Sequence, residues 1–170
     1  MPDPTAPPPI EHYKQLSCEE RLARIARTPE ELARAIEGRS EAALARRPDA
    51  KNWAPVEVIC HLRDNEEWFL IRLQQIMLMQ EPRFVTTSQD RWAEDHQYLK
   101  NDARLAIEAF ARSRAESLAF FRGLEPDDWT RAGIHSDSRG RRTIGGFLTV
   151  MAWHDDNHLA QLRRALEGRA

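Results

Sequence analysis

The chain has 170 residues, 41% of them hydrophobic and 31% charged, the size of one globular domain with a single buried core. Its 25 lysines and arginines and 27 aspartates and glutamates are interspersed and leave a net charge of -2. That balance argues against a protein built around nucleic-acid backbones, and no apolar run approaches the roughly 18 residues that a membrane span requires.

Cys18 and Cys60 form no CxxC pair and no secretory leader accompanies them, so a cytoplasmic protein with free thiols is expected. Residues 1–9 contain five prolines and read as a flexible arm, leaving residues 10–170 as one domain. From Ser17 the spacing of Leu22, Ile25, Leu32 and Ile36 predicts a first helix, with a break and restart at Thr28-Pro29-Glu30 and a stop at Gly38.

Pro55 suits the first turn of a second helix, which the stripe Val58, His61, Leu62, Asn65, Trp68, Phe69, Leu73 and Ile76 carries to about Gln80. Roughly 18 residues then follow, too many for a tight helical hairpin, and they are expected to hold a short helix around Trp92. The third helix, Asp102 to Arg122, is expected to turn Leu105, Ala109, Arg112, Glu116, Ala119 and Phe120 inward and to end at Gly123. Residues 124–142, rich in Pro, Asp, Gly and Ser, read as a connection and not a strand pair; their basic tract Arg139–Arg142 reads as solvated. Thr143 then caps a last helix running to about Glu167, striped by Phe147, Val150, Met151, His154, His158, Leu162 and Ala165. Four long amphipathic helices without an alternating strand specify an all-α four-helix bundle.

Two stripes carry histidine where the core should be. His154 and His158, four residues apart, project from one helical face about 6 Å apart along the axis. His61 on the facing helix can add a third nitrogen, the set that catalytic zinc sites use with one position left open. A lone histidine on an apolar face is more often a hydrogen-bonded core residue, but three buried imidazoles are costly unless partnered, and one shared divalent cation satisfies all three. His12, His96 and His135 fall in the arm and the connections, where solvent exposure is expected. Cys60, about 100° around the helix from His61, reads as a small buried hydrophobe. Ligating imidazoles need polar partners, and Glu57, Asp64, Asn65 and Gln161 stand within a turn of the histidines; Asp155 and Asp156 read as a solvated face. Glu57 is also the candidate general base. Trp68 and Trp153 read as core packing.

His154-Asp155-Asp156-Asn157-His158 departs from the zinc-protease HExxH helix, because an aspartate replaces the glutamate and no later metzincin ligand follows. Paired Glu-x-x-His motifs for a di-iron site are missing, as is a GxSxG serine turn.

Asn52-Trp53-Ala54-Pro55-Val56-Glu57-Val58-Ile59-Cys60-His61-Leu62, with Trp153-His154-Asp155-Asp156-Asn157-His158-Leu159-Ala160-Gln161 much later, resembles the DinB/YfiT-like superfamily over nearly the whole domain. The resemblance implies a four-helix bundle with a long crossover between helices two and three, and a divalent metal, zinc or nickel, held by His61, His154 and His158 near one end. It also implies a homodimer acting on a small-molecule substrate, as a metal-dependent hydrolase or as a transferase of low-molecular-weight thiols. The chain departs from the family pattern at Ala54, where a capping serine is common, and at Asn157, where an additional histidine is common. Three readings follow from the sequence: a metal-dependent enzyme, a non-catalytic metal-binding module of stress response or assembly, and a bundle with structural histidines alone.

Overall fold

The computed structural model describes residues 6–86, 88–137 and 139–170. The proline-rich opening falls partly outside these, and residues 6–9 take no regular structure before α1 (Ile10–Gln15). The long helices are α2 (Cys18–Ala35), α4 (Pro55–Leu78), α6 (Ala103–Arg122) and α7 (Ile144–Leu166), with the short α3 (Glu41–Leu44) and α5 (Gln89–Asp95) in the connections. The helix around Trp92 is therefore present as α5, whereas α1 and α3 were not signalled by the sequence pattern.

Local chemistry sets the ends of these helices. Ser17 accepts from the Glu20 backbone while the Glu20 carboxylate accepts from the Ser17 backbone, a reciprocal cap for α2. Asp102 caps two backbone N–H groups of α6, and Thr143 caps Gly146 at the start of α7. Ala54 has no oxygen with which to cap α4; Glu57 compensates by accepting the Ala54 N–H at 2.8 Å.

No break occurs at Pro29, and α2 runs unbroken through it. Proline has no N–H to give the carbonyl four residues earlier, which frees Ile25 O. That carbonyl instead accepts from Arg114 Nη1 at 2.7 Å, so a side chain from another helix fills the gap.

Side-chain partners fix the direction of each helix. Phe69 meets Phe147 and His61 meets His158, so α4 and α7 are antiparallel. Thr28 bonds Asp155 and Arg21 bonds Thr149, so α2 and α7 are parallel. Val56 lies near Ala103, and Glu66 pairs with Arg114, so α4 and α6 are parallel as well. Each of α4 and α2 packs against both α6 and α7. Parallel neighbours need a connection that travels back the length of the bundle, which is the physical reason for the long segment between α4 and α6.

The polar centre of the bundle differs from expectation. Arg114, 2% exposed, pairs with Glu66 of α4 and with Asp155 of α7, and through Ile25 O it touches α2. One guanidinium on α6 thus contacts the other three long helices. Asp155, expected on a solvated face, is 1% exposed and also accepts from Thr28; Asp156 is partly buried and accepts from Tyr13 and Arg24. On α6 the buried face carries Ala106, Ile107, Phe110, Arg114, Ser117 and Phe121, one residue round from the expected stripe, and Leu105 is 61% exposed. The inward charge of this helix is Arg114, drawn in by Glu66 and Asp155, in place of the expected Arg112 and Glu116.

Residues 124–142 also depart from expectation. Strands β2 (Ala132–His135) and β3 (Arg141–Thr143) pair antiparallel, and β1 (Arg83–Phe84) of the crossover adds parallel to β2. Gly133 permits this, since a Cβ there would lie 2.2 Å from the Phe84 ring. The sheet ties the crossover to the segment before α7. None of the described helices is long and apolar enough to cross a membrane.

Candidate metal centre

Antiparallel packing of α4 and α7 brings the three histidines together. One ring nitrogen from each of His61, His154 and His158 lies within 4.8 Å of the others. His61 Nε2 and His154 Nε2 are 3.2 Å apart, and the His158 ring centre is 4.4 Å from that of His61 and 4.3 Å from that of His154. Zinc–nitrogen bonds of about 2.0–2.1 Å in a tetrahedron separate two ligand nitrogens by about 3.3 Å, which the His61–His154 spacing matches, with His158 beside both.

The surrounding side chains suit that role. His158 Nδ1 lies 2.7 Å from Gln161 Oε1, an acceptor that places the proton on Nδ1 and leaves Nε2 free. The Asn65 Nδ2 group lies against the His61 ring, 3.0 Å from Nδ1 and 3.1 Å from Nε2, and donates to the His61 carbonyl; Trp53 packs on the same ring, and Phe69 meets His154 edge-on. Asn157 bonds back to Trp153 O, within its own helix. Burial pushes all three imidazoles below the ordinary histidine value; the charge of His158 adds to this at His61 and His154, while Gln161 and Asp155 oppose it at His158. They are accordingly neutral near pH 7, the form that binds metals.

A pH dependence follows for the metal-free protein. Below the unfolded-state histidine pKa of about 6.5, unfolded chains take up protons that the native imidazoles refuse, so stability falls with pH. Each such group contributes a slope of about 1.4 kcal/mol per pH unit until its own folded-state pKa is reached. Urea unfolding in chelator should therefore give a falling free energy from pH 6.5 to 5; a flat profile would contradict neutral, buried imidazoles.

The remaining candidates separate clearly. Both carboxylate oxygens of Glu57 face Arg47, one of them also taking the Ala54 N–H, so Glu57 braces the start of α4. His12 and His96 are exposed. Cys60 is fully buried, and burial raises its thiol pKa to about 12, an unreactive state. His135 is not exposed as expected but 3% accessible, set against the rings of Phe84 and Phe147.

A narrow cleft of about 50 Å³ is lined by His61 and Asn65, by Trp68 and Trp92, and by Arg72 and Arg139. Trp68 is thus a cleft wall as well as a packing residue, while Trp153 packs against the core. Beside the cleft Asp64 accepts from Tyr98 Oη at 2.6 Å, Trp92 Nε1 at 2.9 Å and Arg63 Nε at 2.6 Å. Burial works against its charge, but those donors hold its carboxyl below the usual carboxylate range. Arg139 belongs to the basic tract expected to be solvated, and it is exposed although it lines the cleft, while Arg142 of the same tract is partly buried. Arg72 and Tyr98 carry no sequence expectation; Arg72 continues the His61–Asn65–Trp68 stripe by four residues.

A family model described as the DinB superfamily matches residues 24–162. The chain belongs to the DinB superfamily. Among its relatives, a protein of Oceanobacillus iheyensis provisionally named a metal-dependent hydrolase is 32% identical over 65% of this chain and 63% of its own length. A second, from Bacillus mycoides and named in the same provisional way, is 27% identical over 79% of this chain and 76% of its own. The chain therefore spans between three fifths and four fifths of these relatives. YfiT from Bacillus subtilis, described as a probable metal-dependent hydrolase with an unusual four-helix bundle topology, superposes on this DinB-superfamily chain with a TM-score of 0.83. That match covers 92% of this chain and 93% of YfiT at 19% identity, a likeness of fold.

Proposed function

We propose that this protein is a metal-dependent hydrolase of small molecules, with His61, His154 and His158 as the ligands of one divalent ion. The observation that carries the reading is the convergence of three neutral imidazoles, one of which, His61, also opens on the cleft. The provisional names of the relatives support the same class. Imidazole donors suit zinc and nickel. When bound, such an ion supplies a nucleophile near neutral pH by lowering the pKa of water.

The chain's own residues orient and shield that centre. Gln161 fixes the His158 ring, Asn65 lies against the His61 ring, and Trp68 and Trp92 wall the approach. Glu57 has no free carboxylate oxygen with which to take a proton from substrate, so the reading assigns it no basic role.

The test is metal analysis of protein purified without an affinity tag, followed by a screen of ester, amide and thiol-conjugation substrates with His61→Ala as control. Near-stoichiometric zinc or nickel and hydrolysis lost in the variant are expected. Turnover of thiol-conjugation substrates alone would replace hydrolysis by thiol transfer, and a metal-loaded protein without turnover would make it a non-catalytic binding module. Absence of metal would sink the site.

A further inference from the structure

The far end of the cleft is strongly cationic. On α4, His61, Asn65, Trp68 and Arg72 follow at intervals of four, three and four residues, which sets them along one face of the helix. Eleven residues at 1.5 Å each place His61 and Arg72 about 16 Å apart along the axis. Arg72 lies over the rings of Trp68 and Phe84, 5.6 Å from each centre, and hydrogen-bonds the Val85 carbonyl at 3.3 Å. Among the described residues it has no carboxylate partner, and neither does Arg142, which lies 5.6 Å over the Phe147 ring. Arg139 is paired with Asp137 and also donates to Thr86 Oγ1.

Three guanidiniums are thus gathered around one carboxylate. Arg72 and Arg142 are partly buried, and burial together with the neighbouring guanidiniums pushes both below the usual arginine value, which marks mutual repulsion. Among them lies His135, 3% exposed, with both ring nitrogens lacking a hydrogen-bond partner among the described residues. Burial and the guanidiniums of Arg142, Arg139 and Arg72 lower its pKa to about 4, so it is neutral and adds no charge. Assembling like charges against aromatic faces costs free energy that an anion would recover, and planar guanidiniums match the oxygens of carboxylate and phosphate.

We propose that the substrate of this protein carries an oxyanion, carboxylate or phosphate, bound at this end of the cleft by Arg72 and Arg139, with Arg142 strengthening the positive field. The proposal deepens the hydrolase reading and rests on it for the reacting end: the anionic group is anchored at Arg72 while the labile bond lies toward His61. It narrows the substrate class to small organic acids or phosphate esters.

The test is calorimetric titration at constant ionic strength, with inorganic phosphate and succinate as separate probes, into metal-loaded and chelator-treated full-length protein. Wild type is compared with Arg72→Gln, Arg139→Gln, the exposed control Arg104→Gln, and His158→Ala. Saturable binding of at least one probe is expected, at least tenfold weaker in Arg72→Gln and Arg139→Gln and within twofold of wild type in Arg104→Gln and His158→Ala. The probe that binds more tightly identifies the group as phosphate or carboxylate. Arg139 is exposed, so its variant keeps the test valid if Arg72→Gln is poorly folded. Lack of saturable binding by both probes overturns the proposal, as does binding that survives in both arginine variants. Anion binding that vanishes in His158→Ala and in chelator but survives Arg72→Gln places the anion on the metal and also overturns it. Failure of the metal reading is separate, since a protein that retains no metal yet loses anion binding with Arg72 keeps the anion site and loses the centre.

Discussion

Replacing Arg114 with methionine is expected to lower the unfolding free energy by about 3–5 kcal/mol, the loss typical of breaking a buried ion pair from one side. The variant leaves Asp155 and Glu66, each about 1% exposed, as uncompensated charges in the core. It also leaves Ile25 O without its donor beside Pro29. Burial opposes the charge of Arg114, yet Asp155 and Glu66 hold its pKa above the ordinary value, so the three groups act as one unit. For a domain whose whole stability is about 5–15 kcal/mol, that loss nears the point of unfolding. Urea denaturation followed by circular dichroism measures it. The triple variant Arg114→Met, Glu66→Leu, Asp155→Leu should recover most of the deficit, because an apolar replacement removes the stranded charges along with their partner. A single-variant loss below about 1 kcal/mol, the scale of an ordinary hydrogen bond, would show that the guanidinium does not join the helices.

His154→Ala is expected to abolish metal-dependent stabilisation while leaving the helices in place. A ligand at 100 times its dissociation constant stabilises a native protein by about 2.7 kcal/mol. Wild-type protein should therefore become more stable as zinc or nickel is raised, and the variant should not. In chelator the order should differ. His154 is squeezed between His61 and His158 with no other hydrogen-bond partner among the described residues, so its removal relieves crowding of the imidazoles while opening a small cavity beside Phe69. Wild type and variant should then lie within about 1–2 kcal/mol of each other. Equal metal-induced stabilisation of both proteins would remove His154 from the ligand set.

Much of the bundle and all three histidines could be read from residues alone because their signals are local or periodic. Asp102, Thr143 and Gly123 mark helix ends by their own chemistry, and His61 and the His154–His158 pair interrupt otherwise apolar stripes. What escaped depends on partners distant in sequence. Asp155 looks like one of two surface aspartates until Arg114, 41 residues earlier, is placed beside it. Arg114 looks solvated until both carboxylates are known. The strands are two to four residues long, carry glycine and arginine in place of alternating apolar residues, and pair in part with β1 from the distant crossover. His135 became buried by the same pairing. Pro29 misled for a related reason: its effect on α2 is cancelled by a donor from α6.

The parallel course of α2 with α7, and of α4 with α6, has a consequence for the order in which the molecule can assemble. α6 packs chiefly on α4, the long helix before it, but parallel to it and not as a hairpin, while α2 waits for α6 and α7. A nascent chain that has reached the end of α6 already carries Arg114, Ile25 and Glu66, but not Asp155, and it carries His61 without its two companions. Contacts of such wide sequence separation form slowly and leave sticky surface exposed meanwhile. On the proposed three-histidine reading, a metal could be held by all three imidazoles only once α7 has been made, because His154 and His158 both lie on that last helix.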